Sequence, residues 1–171
     1  MSDYPTPRDR VILRELAHHV AGIGALPIME QRRAMWRRHN SLERIRPLIL
    51  VFPEGSWREL LPEDRMRCEG QEARQIEWRL RSRIYHFEHI HDDTVIESTY
   101  AVNKRVTNSG WGLEAQHIPS AQATGAWGFD PVIHSPDDLE KLRYPEVVYD
   151  AEGSARDLER MQDLFGDILS V

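Results

Sequence analysis

Apolar positions along the chain follow two different spacings. Val11, Ile12, Leu16, Val20 and Ile23 recur every three to four residues, the period of one helical face. Thr6-Pro7-Arg8-Asp9 before them reads as a helix start, with a capping hydroxyl, a proline in the first turn and an acid at the positive helix end. Gly22 and Gly24 weaken the far end and Pro27 breaks it. The pattern predicts a second helix from about Pro27 to His39, with Ile28, Met35 and Trp36 as apolar contacts. Its other face carries Arg32, Arg33, Arg37 and Arg38, which suits a solvated face paired with carboxylates better than an anion site. The helical period returns from Glu72 to about His89, where Ile76, Leu80, Ile84 and Phe87 form a stripe beside Trp78 and Tyr85.

The second spacing is short and continuous. Arg46-Pro47-Leu48-Ile49-Leu50-Val51-Phe52 is an apolar run between two prolines, the pattern of a strand buried on both faces. Residues 62–71 read as a polar loop. Thr94–Val102 is β-branched and predicts a second strand. Turn residues Asn108-Ser109-Gly110 follow, and residues 113–133 predict one or two short strands around Gly125 and Gly128. Ser135-Pro136-Asp137-Asp138 predicts a capped helix that stops near Pro145, and Ala155–Phe165 a further helix ended by Gly166. Residues 167–171 begin a third strand.

Strands alternating with helices predict an α/β protein with a parallel sheet. The last strand has no helix after it, so the expectation is one partial domain. Residues 1–45 would be leading helices, and residues 46–171 the first βα units with an excursion at about 103–133.

The bulk numbers narrow the function. Twenty-eight acidic against twenty-two basic side chains give a net charge of −6, which argues against a nucleic-acid binder. Cys68 is the only cysteine, so an internal disulfide and a multi-cysteine zinc site are excluded. The N-terminus MSDYPTPRDR has no apolar signal region, and the apolar run Leu48–Phe52 is too short to span a bilayer. The expectation is a cytoplasmic protein without a membrane partner.

The residues PVIHSPDDLEKLRYPEV, 131–147, resemble a segment of the uroporphyrinogen decarboxylase-like superfamily, which contains the decarboxylases and the cobalamin-dependent methyltransferases. SLERIRPLILVF, 41–52, and LERMQDLFGDILSV, 158–171, are similar to two further segments of it. The resemblance implies the N-terminal part of a (β/α)8 TIM barrel, incomplete within this chain. It also implies a substrate grip near the first strand end, where Arg58 answers to one of two arginines that hold porphyrinogen carboxylates; Phe52 replaces the other. Thr99 stands at the position of the decarboxylases' catalytic aspartate and carries no charge, so Glu97, two residues earlier on a strand face, is the candidate catalytic group. Glu54, Arg58 and Trp57 are the candidate substrate-binding residues.

The reaction implied is methyl transfer linked to a corrinoid, rather than decarboxylation, with zinc and the corrinoid belonging to the full-length family context. This chain alone is expected to be inactive. The expected partners are a small-molecule substrate and either the missing barrel portion or a second copy of the chain. The alternative is a non-catalytic, partner-dependent fragment. A further alternative, a metal-dependent hydrolase, rests on HFEHIHDDTVIES, residues 86–98. No regular conformation gathers His86, His89 and His91, and the H-E-x-x-H spacing is missing. The segment reads instead as histidines complementing a helix C-terminus, with Asp92 and Asp93 making the turn that follows; no metal ligand is assigned.

Overall fold

A computed structural model describes residues 5–122 and 125–171. Residues 1–4, part of the N-terminal signal reading, and 123–124, inside the predicted 113–133 excursion, lie outside the described residues. The chain divides into two compact units, one comprising the chain up to Val102 together with Asp157–Val171, the other Asn103–Arg156.

The first unit is helical. α1 (Pro7–Gly24) starts at a capping box in which Thr6 Oγ1 accepts the Asp9 N–H and Asp9 accepts the Thr6 N–H. Gly24 is required at its end, because a Cβ there would lie 2.3 Å from Ser98 Oγ. α2 is Pro27–Asn40, α3 the single turn Trp57–Leu60, and α4 Gln71–His89. α5 (Ala151–Phe165) crosses from the second unit into the first. Leu13, Ala17 and Val20 of α1, Leu80 of α4 and Phe165 of α5 are fully buried in one apolar cluster with Ile76, Ile84 and Leu164. Glu77 is buried beneath the 66–69 loop. Burial alone would raise its pKa, but the Cys68 and Arg67 N–H groups and the Arg81 guanidinium donate to it and hold it below the usual range.

The second unit is two antiparallel ribbons. β1 (Arg105–Asn108) pairs with β4 (Val147–Asp150), Val106 facing Tyr149. β2 (Gln116–Ile118) pairs with β3 (Gly128–Asp130). Every residue of the four strands is exposed. Asn108 Oδ1 accepts the N–H of Gly110, whose φ of +71° suits glycine in this turn. Ser135-Pro136-Asp137-Asp138 does form a capping box, but it opens a 3-10 segment, Pro136–Lys141, and not an α-helix.

These elements overturn the expected part of a (β/α)8 TIM barrel. The sheets are small, two-stranded and antiparallel. Residues 47–52 form no strand and are not buried on both faces: Ile49 is 60% and Phe52 74% exposed. Carboxylates, not a neighbouring strand, take the run's inner hydrogen bonds. Asp93 accepts from Ile49 N–H and Asp92 from Val51 N–H, each at 2.9 Å. Residues 94–102 form no extended strand for a related reason. Their carbonyls are taken by arginines of the helices: Thr94 by Arg32, Thr99 and Glu97 by Arg83. What survives of parallel pairing is one bridge between Thr99 and Ser170, where Tyr100 N–H donates to Ser170 and Ser170 N–H to Ser98.

Candidate functional site

The Glu72–His89 stripe that buries Ile76, Leu80 and Ile84 leaves another helical face outside. Gln71, Arg74, Gln75, Trp78 and Arg79 recur along α4 at alternating steps of three and one, so they share that face. The turn Trp57–Leu60 lies against it. Together they line an open cleft of about 900 Å³, closed by Leu61, Glu63, Met66 and Glu69. That volume is within the usual size of a small-molecule site.

The apolar wall is aromatic. The Trp57 ring meets Trp78 edge-on at 5.7 Å and Tyr85 at 5.9 Å between centroids. The polar wall is cationic. Arg74 Nη2 donates to the Glu63 carbonyl at 2.7 Å, which fixes that side chain across the cleft. The Arg79 guanidinium lies 5.5 Å from the centre of the Tyr100 ring, a cation–π contact. Arg58 is exposed and has no carboxylate partner among the described residues. Of the two lining carboxylates, Glu69 is tied to Arg8 at 2.7 Å. Three guanidiniums and two indoles around one cavity suit an anionic group attached to an apolar or planar body.

The sequence-predicted residues divide here. Trp57 and Arg58 line the cleft; Glu54 and Glu97 do not. Glu54 is exposed at the start of the 3-10 turn Glu54–Ser56. Glu97 accepts from Arg33 of α2 at 3.0 Å, an exposed ion pair that occupies its carboxylate. Arg33 and Arg37 also share Glu30, and Arg38 pairs with Glu43. Arg33, Arg37 and Arg38 of the α2 arginine face are thus paired with carboxylates, as the pattern suggested, whereas Arg32 donates to the Thr94 carbonyl. Sequence reasoning missed Arg74, Trp78 and Arg79. The signal was present in the non-apolar face of the same helix, where an aromatic residue sits among arginines at helical spacing.

HFEHIHDDTVIES forms a brace. His86 Nε2 lies 3.0 Å from Asp92 Oδ2, the His89 ring packs on Tyr85 at 4.3 Å, and His91 is exposed. Burial alone would raise the Asp92 pKa, but the N–H groups of Thr94 and Val51, with His86 and the Thr94 hydroxyl, hold it below the usual range. Arg46 holds the Asp93 carboxyl down to about 2, aided by the Ile49 N–H. Burial, reinforced by the carboxylates of Glu77 and Asp9, pushes the Cys68 thiol far up, which disfavours the nucleophilic thiolate.

Among the described residues no group of three His, Cys, Asp or Glu side chains is placed to hold a metal. These residues therefore do not fit a zinc centre, and no histidine lines the cleft. Among the described residues, no single helix is long and apolar enough to cross a membrane. Comparisons with protein-family models, curated proteins and solved structures find no match to this chain.

Proposed function

We propose that this chain recognises a small anionic substrate for an enzyme of the uroporphyrinogen decarboxylase-like type, with corrinoid-linked methyl transfer as the reaction class that the resemblance implies. One convergence carries the reading. Arg58, which resembles a carboxylate-gripping arginine of that superfamily, lines the same cleft as Trp57, Trp78, Arg74 and Arg79. The arginines hold a carboxylate, the indoles cover the apolar remainder, and the groups that break and form bonds come from elsewhere.

Two measurements test the two parts separately. Tryptophan fluorescence titrations with benzoate, citrate and 3-mercaptopropionate should show saturable quenching. Charge-assisted hydrogen bonds contribute roughly 1.5–3 kcal/mol, so Arg58→Ala or Arg74→Ala should weaken binding by roughly tenfold or more. Matching neutral amides should bind weakly to all variants. Carboxylate binding that is insensitive to both substitutions removes the cleft. For the reaction class, thiol-dependent demethylation of methylcobalamin is followed by absorbance with the gene product as its cell makes it. Absence of any acceleration removes methyl transfer and leaves the binding site standing.

A further inference from the structure

The loop 61–69 forms the rim of the cleft and supplies Leu61, Glu63, Met66 and Glu69 to its lining. Residues 66–69 lie in neither helix nor strand, so their backbone groups need acceptors from side chains. Three successive N–H groups find them on the helices. Glu77 Oε2 of α4 accepts from Arg67 and Cys68, each at 2.8 Å, and Asp9 Oδ1 of α1 accepts from Glu69 at 2.9 Å. The remaining oxygens are held in turn: Glu77 Oε1 accepts from Arg81 Nε at 2.7 Å, and Asp9 Oδ2 from the Thr6 N–H at 3.1 Å. Both carboxylates are fully buried, a costly place for a charge, and these donors offset the cost. Neither carboxylate lines the cleft. Three residues before Glu77 on the same helix, Arg74 holds the Glu63 carbonyl, so the rim is pinned near both ends.

We propose that Asp9 and Glu77 are positioning residues of the cleft: from two different helices they clamp the loop 66–69 and so set where Met66 and Glu69 stand. The inference rests on the reading of the cleft as a carboxylate site. The sign of the effect separates positioning from electrostatics. Both groups are anionic, and removing a negative charge beside an anion site by itself strengthens anion binding. Weaker binding after neutralising Glu77 or Asp9 therefore reports a displaced rim, not a lost attraction.

Cys68 reports on the clamp. It lies in the clamped loop, is buried and is the single cysteine of the chain. Its alkylation by iodoacetamide, a neutral reagent that does not compete for an anion site, follows opening of the loop. In Glu77→Gln and, on the other helix, in Asp9→Asn, labelling read by mass spectrometry should be roughly tenfold or more faster than in the unsubstituted protein. The rate should stay nearly constant in urea below the unfolding transition, because a local opening exposes little surface and global unfolding exposes much. Both variants should bind benzoate roughly threefold or more weakly. An unchanged labelling rate, or one that climbs with urea along the global unfolding curve, overturns the clamp. Faster labelling with unchanged or tighter benzoate binding overturns its role at the cleft. If the unsubstituted protein binds no benzoate, the cleft reading falls and the positioning role with it; the labelling rates keep that failure apart from a failure of the clamp.

Discussion

The helical core and the run 47–52 are made of the same residue types and meet opposite fates. Leu13, Val20, Leu80 and Phe165 are fully buried; Ile49, Leu50, Val51 and Phe52 are exposed. Spacing makes the difference. A stripe every three to four residues puts apolar groups on one face, and α1, α4 and the end of α5 each present such a face to the shared cluster. A continuous run puts them on two faces of an extended chain, and Ile49, Leu50, Val51 and Phe52 stay exposed. The core is held by burial, the run by polar anchors at Asp92, Asp93 and Arg46. Apolar content alone therefore does not say where a segment ends up.

The largest effect that separates the two regions is a cavity in the core. Leu80 is fully buried within α4, so Leu80→Ala should cost about 3–4 kcal/mol in urea unfolding, with the slope of the transition unchanged. A loss below about 1 kcal/mol would mean that the stripe is not tightly packed and that burial does not separate the regions.

The sequence shows helices better than strands for the same physical reason. Thr6, Pro7 and Asp9 announce α1, and the Ile76–Leu80–Ile84 spacing announces α4, because caps and stripes act within one element. Strand identity depends on what lies alongside. Nothing in 47–52 or 94–102 alone says that Asp92, Asp93, Arg32 and Arg83 will take the backbone groups a neighbouring strand would have used. The candidate site was half legible. Trp57 and Arg58 directly follow the apolar run, and Arg58 also carries the resemblance. Arg74, Trp78 and Arg79 sit on the charged face of a helix whose other face is apolar, and a charged helix face is ordinarily solvated, so nothing in the spacing sets them apart. Glu97 looked functional because a carboxylate in a buried strand needs a role, but it is neither in a strand nor buried.

The anchoring of the run should show in pH dependence. Asp93 has a pKa of about 2, below the ordinary value near 3.9, because Arg46 and the Ile49 N–H favour its charged form. A carboxyl lowered on folding stabilises the fold above its unfolded pKa and loses that contribution as pH falls through the folded one. The window is therefore about pH 4 down to about pH 2. Arg46 is half exposed, so solvent screening limits the contribution to about 1 kcal/mol. Asp93→Asn should be less stable than the unsubstituted protein by about that amount at pH 7, and the two unfolding midpoints should converge near pH 2. A constant offset from pH 7 to pH 2 would show that the anchor acts through shape and not charge.

The smallest stability effect should come from the most apolar-looking position of the run. Phe52 is 74% exposed, so replacing it returns little buried area to water and leaves no cavity. Phe52→Ser should change the unfolding free energy by less than about 0.5 kcal/mol. The contrast with Leu80→Ala would be several-fold for two large apolar side chains in one unit. A loss of 2 kcal/mol or more would show that the run is covered within its own chain. The comparison with the core would then fail.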